Sequence, residues 1–387
     1  MQAFEDAVNY PANIVSDDRN ASESLRVVLA SSQAGWGGGE EYLTAIADEF
    51  VNRGLAVTFL SRAGSELHQR VVKAGHAVKT LRGRGRNPLE LWRLRRWLGS
   101  LGPAILHCND SHALTSAGLA AVGLESIFVV AMRHTMFAIR SPAKYRRLSD
   151  RVICVSNAVA DACREQGISD RWLRVVHAGI DLPRVDTEAV DKLRSELLPT
   201  ARHKLIVAVG NLLPCKGHQT LIQAAAHLKA WGEKAITVIA GEGQERQALE
   251  AQISSLSLQD HVKLLGFRND ANTVLAAADV VAHPAFEEGL CLTVAAAMML
   301  DRPIVATATG GLSDVLGLDP RMEADGPFGI IVEPGNHNQL SEALRTQLTS
   351  PPAPDVLKTA RVFATRRFTT PSVVDGTVAV YQNMLQR

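Results

Sequence analysis

The 387-residue sequence predicts an α/β protein of two doubly wound, Rossmann-like domains facing a central cleft. Two observations carry this. Short apolar runs bounded by glycine or polar residues alternate with longer helical stretches, the pattern of βαβ units whose parallel sheets are covered by helices on both faces. The alternation also breaks once, over a loop at about 177–203, and then starts again. Hydrophobic residues at 46% and charged residues at 21% supply apolar material for two cores.

Residues 1–24, ending SDDRNASES, are polar and acidic, with neither the basic start nor the apolar run of a targeting peptide, and read as a mobile tail. The first domain is expected over 25–182. It opens with a buried strand, LRVVLAS (25–31), a helix EEYLTAIADEFVNRG (40–54) ended by glycine, and a strand LAVTFLS (55–61). Further strands are expected at 104–107, 127–132, 151–155 and 173–176. HKLIVAVGN (203–211) opens the second domain, expected over 183–370, with strands near 235–240, 261–265, 279–282, 303–306 and 329–332. Residues 371–387 read as a C-terminal helix packing back toward the first domain.

Nowhere do about 18 apolar residues run together, so no transmembrane helix is expected. Five scattered cysteines, Cys108, Cys154, Cys163, Cys215 and Cys291, with no C-x-x-C pair, suit reduced thiols in a cytoplasm. No Cys/His cluster or H-E-x-x-H spacing points to a metal, and no cofactor is expected.

The net charge of +1 hides an asymmetry. Residues 25–183 hold 21 Lys/Arg against 13 Asp/Glu, whereas 184–387 hold 19 against 22. The basic excess gathers in LRGRGRNPLELWRLRRWLG (81–99), where Arg82, Arg84, Arg86, Arg93, Arg95 and Arg96 accompany Trp92 and Trp97, and in RSPAKYRRLSDR (140–151). One reading is a solvated helix face. The other is a surface for anionic lipid or an anionic acceptor, which would make the protein peripheral on the inner face of a membrane. Nucleic acid is not expected, since the excess covers one half only and no nucleic-acid motif accompanies it.

In doubly wound sheets ligands bind beyond the carboxyl ends of the strands, so the loops after the strands are where chemistry is expected. QAGWGGGEE (33–41) offers Gly37, Gly38 and Gly39 for close backbone approach and amides for an anion, but Glu40 replaces the last glycine of the dinucleotide pattern. LHCNDSHAL (106–114) supplies His107, Asp110 and His112, and AMRHTMF (131–137) supplies His134. In VAVGNLLPCKGHQTL (207–221), Lys216 stands beside a glycine at a helix start, which suits a phosphate, although the P-loop pattern is absent. HPAFEEGLCLTVAAAMMLDRP (283–303) sets Glu287 and Glu288 ahead of a glycine and an apolar helix.

Taken in order, the GGGE loop, VICVSNAVADACRE, VVHAGID, G-x(5)-KG, AGEG, VKLLGF, ADVVAHPAFEEGL and RPIVATATGG resemble the family-4 retaining glycosyltransferases of the GT-B fold, over about residues 25–345. The resemblance implies transfer of a sugar from a nucleotide diphosphate sugar to a glycan or lipid-linked acceptor, with retained configuration and no obligatory metal. It further implies work in cell-surface polysaccharide or lipopolysaccharide synthesis. By the same resemblance, Gly37 and Glu40, with Asp110, lie on the acceptor side, and Gly38 and Gly39 face the donor phosphate. His134 lies near the reaction centre, Lys216 neutralises the leaving diphosphate, and Glu288 contacts the donor sugar. The amides of Gly289, Leu290, Cys291, Leu292 and Thr293 hold phosphate and sugar, and the backbone of Arg268 reads the nucleobase.

Three positions depart from the family pattern. Asn211 stands where an arginine usually partners the diphosphate, Ala178-Gly179 replaces Asn-Gly, and Ala296 stands where the second glutamate of Glu-x7-Glu binds the ribose hydroxyls. Two alternatives follow: a degenerate GT-B protein acting as a binding or scaffold subunit, and a sugar-nucleotide epimerase.

Overall fold

The structure, a computed structural model, describes residues 25–82 and 87–386. The expected tail, and Arg84 and Arg86 of the basic cluster, lie outside the described residues. All thirteen strands that it describes belong to two parallel sheets. The first holds β1 (Arg26–Ser31), β2 (Ala56–Arg62), β3 (Ala77–Leu81), β4 (Ala104–Cys108), β5 (Ile127–Arg133), β6 (Arg151–Cys154) and β7 (Leu173–Val175), in the order β3-β2-β1-β4-β5-β6-β7. The second holds β8 (Lys204–Val209), β9 (Ala235–Ala240), β10 (Val262–Gly266), β11 (Val280–His283), β12 (Ile304–Thr307) and β13 (Ile330–Val332), in the order β10-β9-β8-β11-β12-β13.

Both orders agree with the burial pattern. β1, β4, β8, β9, β11 and β12 are near-continuous runs of buried Val, Ile, Leu and Ala, as strands covered on both faces require. They take the centres of the sheets. β3 is largely unburied and takes an edge, and for the same reason it lacks the apolar run that announced the others. The order reverses between β1 and β4 and between β8 and β11, where the neighbours pair in parallel, Val27 beside Ile105 and Val281 beside Val207. At such a reversal the two following loops diverge to opposite faces and leave a crevice.

Two expectations need correction. The helix expected over 40–54 spans Gly38–Asn52, so Gly38 and Gly39 form its first turn and Gly37 its N-cap. The span read as a loop at 177–203 contains a helix, Thr187–Leu197, whose N-cap Asp186 accepts from the Glu188 amide at 3.0 Å. The capping carboxylate ahead of an apolar Val-x-x-Leu-x-x-x-Leu spacing was the signal for it.

The chain gathers into two compact units. One comprises the described residues up to 131, with 148–150 and 373–386; the other comprises 132–147 and 151–372. In the first, Leu29, Phe50, Phe59, Leu98, Ile105 and Tyr381 are sealed from solvent. In the second, Ile206, Leu221, Leu228, Ile239, Val280 and Leu344 belong to one apolar cluster. Among the described residues no helix is long and apolar enough to cross a membrane. The tryptophan-bearing helix Pro88–Gly99 buries Leu94 and Leu98 and exposes Leu89 and Trp92, with Arg93 and Arg96 on the exposed side. Arg95 does not join that basic face in the way the sequence suggested, because its guanidinium donates to the carbonyls of Ala120, at 3.2 Å, and Val122, at 2.5 Å.

Candidate active site

The loops after β8 and β11 leave the sheet at its reversal point and bring Lys216 and Glu288 together. Lys216 ends a 3₁₀ turn, Pro214–Lys216, that also carries the half-exposed Cys215. Gly217 then turns the chain at φ 68°, where a side chain would strike the Pro284 carbonyl, and the helix His218–Ala230 begins. The Cys215 carbonyl accepts from the Phe286 amide at 2.8 Å, and the hydroxyls of Thr307 and Thr309 donate to the Ala285 carbonyl at 2.6 and 3.1 Å. Both loops are therefore tied down.

Lys216 Nζ lies 2.5 Å from Glu288 Oε2, and the two side chains are only 20% and 14% exposed. His283, the last residue of β11 and buried, points Nε2 at the same oxygen from 3.1 Å, and Cys291 Sγ lies 3.3 Å from that nitrogen. Burial alone would push the Glu288 carboxyl up; the His283 hydrogen bond and the Lys216 charge reverse this and hold it at about 2. Burial pulls the His283 imidazole down, and Cys291 and Glu288 outweigh it and raise it to about 9. Lys216 is likewise raised, burial being overcome by the charge of Glu288. These directions favour one carboxylate held between two cations. His218 differs: burial lowers it to about 4, and as a neutral ring it donates from Nε2 to the Asn211 carbonyl at 3.2 Å.

Glu288 also precedes the helix Leu292–Met299, which starts after Cys291 in a left-handed conformation (φ 76°) without a side-chain cap. The first-turn amides, including those of Leu292 and Thr293, and the positive helix end are thus available to an anion. Ala296 lies within this helix, 4% exposed. Gly289 lacks a side chain for a reason: a Cβ there would stand 2.1 Å from the His134 carbonyl oxygen. His134 sits on the loop after β5, half-buried, and Arg133 fixes that loop by donating from Nη2 to the carbonyls of Thr135, at 3.1 Å, and Phe137, at 2.6 Å. Further along the sheet, the Arg268 side chain closes on Asp270 at 2.5 and 2.7 Å next to the exposed Phe267.

The other predicted residues gather at the β1/β4 reversal. The Asp110 carboxylate accepts from Ser31 Oγ (3.2 Å), the Ser32 amide and hydroxyl (2.8 and 2.9 Å) and the amides of His112 and Ala113 (2.8 and 2.9 Å), so its oxygens are spent on joining the two loops. Asn109 adds a bond to the Gly39 carbonyl at 3.0 Å. Glu40 is buried on Ser31 Oγ at 3.0 Å, and burial raises its carboxyl. His107 is buried in the core, where its Nδ1 meets the Tyr381 hydroxyl at 2.6 Å.

The sequence reading missed His283 and the side chain of Cys291. With Glu288, their donor atoms lie within 4.8 Å of one another, a spacing that a cation could bridge, and in the structure the positive charge beside them is the Lys216 ammonium. No ligand spacing announces this cluster, because the left-handed turn at Cys291 creates it.

The raised His283 predicts a pH-dependent stability. A histidine raised from 6.5 to about 9 contributes stability that is complete below pH 6.5 and is lost as pH rises through about 9. The gap in unfolding free energy between the protein and His283→Gln should therefore shrink over that interval in denaturant titrations. A gap that stays constant from pH 6.5 to 9 would refute the charged state of His283.

The family model for Glycosyltransferase Family 4 matches residues 36–184, and that for Glycosyl transferases group 1 matches 190–361. The chain is 29% identical over 189 residues to an N-acetylgalactosaminyltransferase of Campylobacter jejuni that acts on a diphospho-undecaprenol-linked sugar, covering 49% of this chain and 47% of that enzyme. It is 28% identical over 176 residues to the lipopolysaccharide glucosyltransferase WaaG of Escherichia coli (42% and 45%). It thus spans about half the length of these curated relatives. With D-inositol 3-phosphate glycosyltransferase of Corynebacterium urealyticum it shares 28% over 354 residues, 80% of this chain and 81% of that one. Among solved structures, Anabaena HepE with UDP and glucose superposes with a TM-score of 0.78 at 21% identity, covering 93% of this chain and all of that one. A glycosyltransferase of Rickettsia africae superposes at 0.83 with 17% identity, covering 95% and 100%. These two likenesses establish the fold. With one model matching each half, the chain belongs to the GT-B glycosyltransferases, family 4 in its first half and group 1 in its second.

Proposed function

We propose that this chain transfers a sugar from a nucleotide diphosphate sugar to a glycan or lipid-linked acceptor, in the synthesis of cell-surface polysaccharide or lipopolysaccharide. The observation that carries the reading is the buried Lys216–Glu288 pair at the β8/β11 reversal, in front of an uncapped helix N-terminus. A leaving diphosphate needs compensating positive charge, and Lys216 with the amides following Gly289 supplies it. Glu288, held by His283 while Lys216 turns to the phosphates, orients the sugar. The relatives named for lipopolysaccharide and undecaprenol-linked substrates support the acceptor class.

Transfer proceeds with retention of configuration in this reading, the leaving phosphate assisting attack on the same face. No metal is required, because Lys216 and the amides carry the charge compensation. Arg268 offers its backbone to the nucleobase, and His134 its place beside Gly289. A second reading, a donor-binding subunit without turnover, draws on Asn211 and Ala296, and calorimetry with donor beside a turnover assay separates the two.

Lys216→Ala should reduce turnover by about 10²–10³, the effect of removing one charge partner, with the fold retained as judged by circular dichroism. Turnover near that of the unaltered protein would end the assignment.

Ala296 leaves the ribose without the family carboxylate, so the site is expected to discriminate weakly between ribose and 2′-deoxyribose donors. Ala296→Glu should favour the ribose form by about 1.5–3 kcal/mol in donor affinity, with thermal melting reporting any cost of the new buried charge. A strong ribose preference already present in the unaltered protein contradicts this.

Leu89, Trp92, Arg93 and Arg96 support reversible attachment to an anionic membrane surface, each basic residue contributing about 1 kcal/mol. Sedimentation with anionic vesicles should be strong at low salt, weak at high salt and reduced in Trp92→Ala. Equal recovery with and without vesicles at low salt leaves the solvated-face reading.

A further inference from the structure

The second basic run of the sequence, RSPAKYRRLSDR, builds a cavity that the transfer reaction does not use. Arg146 and Arg147 end the helix Pro142–Leu148, and Ser169, Arg171 and Trp172 lie on the turn leading into β7. Together they line a cavity of about 580 Å³. All of these residues belong to one compact unit. Arg146–Arg147 precede β6 and Ser169–Trp172 precede β7. The cavity therefore opens at the N-terminal ends of the strands, opposite the edge at which doubly wound sheets bind their ligands.

The charge in the cavity is uncompensated. Among the described residues no ion pair involves Arg146, Arg147 or Arg171, and no carboxylate lines the cavity. The neighbouring acid, Asp170, is paired with Arg164. The helices Pro142–Leu148 and Asn157–Glu165 end close by, but each C-terminus offsets only about half a charge, which leaves three guanidiniums in excess by about two units. One wall of the cavity is held in place. The Arg171 guanidinium lies over the Trp172 ring at 3.7 Å. The Trp172 amide donates to the Ser169 carbonyl at 3.0 Å, and its own carbonyl accepts from the Val152 amide at 2.8 Å.

We infer that this cavity binds a phosphate-bearing group, a diphosphate or the phosphate of an acidic lipid headgroup. Guanidinium forks match the several oxygens of a phosphate, and three arginines lining one cavity with a serine answer a multiply charged anion better than a single carboxylate. The site is independent of the donor reading, since it shares no residue with it.

The test uses the full chain carrying Lys216→Ala, so that binding at the donor phosphates is silenced, and compares it with the same protein carrying R146A, R147A and R171A as well. Inorganic pyrophosphate is titrated calorimetrically at low salt. Sedimentation with phosphatidylglycerol vesicles, against phosphatidylcholine vesicles, is measured in the Trp92→Ala background. Removing the three arginines should weaken binding at least tenfold, with an unchanged melting temperature. Loss of pyrophosphate binding alone identifies a soluble diphosphate, and loss of vesicle binding alone identifies a lipid headgroup. If neither probe binds, or both bind as well without the three arginines, the inference is overturned.

Discussion

Placing Lys216 and Glu288 side by side under cover is the costly act in this molecule. Taking two charges out of water costs several kcal/mol for each ion, and the attraction between them offsets that only when the remaining oxygens and protons also find partners. Here the compensation is local. His283 shares the bonded carboxylate oxygen, and the free amides of the following helix lie close in sequence. The surrounding backbone serves the same pair: the left-handed residues Gly217 and Cys291 turn the two loops inward, and Thr307 and Thr309 hold the Ala285 carbonyl. A loop free to relax would let the ion pair separate into solvent, and its preorganisation would be lost.

Much of this was legible from the residues. Strand positions came out within a residue or two because doubly covered strands must be continuously apolar and end in glycine or polar residues, as LIVAV and ITVIA do. Lys216 and Glu288 were legible as well, since each follows a strand and precedes a helix. What escaped has a common cause. His283 and Cys291 meet only because Cys291 adopts a positive φ, which no pattern of side chains encodes for a residue other than glycine. His107 was one of the residues the loop after a strand offered for chemistry, yet its Nδ1 meets Tyr381, 274 positions away. β3 is an edge strand with little burial, and edge strands give the weakest periodic signal.

The arginines divide along the same line. Sequence clustering treats them alike, whereas the fold assigns Arg95 and Arg133 to backbone carbonyls and leaves Arg146, Arg147 and Arg171 around one concavity. A guanidinium has five donors, and whether those donors close a loop or face solvent depends on carbonyls contributed from distant segments. Local charge density therefore indicates where basic surface can arise, and the tertiary path decides which part of it is available to a ligand.

Cys215 has a practical consequence. Four of the five thiols are buried, and Cys215, directly before Lys216, is the half-exposed one. A thiol-selective dye reaches it ahead of the others. The chain thereby carries its own attachment point for a fluorophore next to the buried Lys216–Glu288 pair, and occupancy there can be followed optically in a protein with no engineered cysteine.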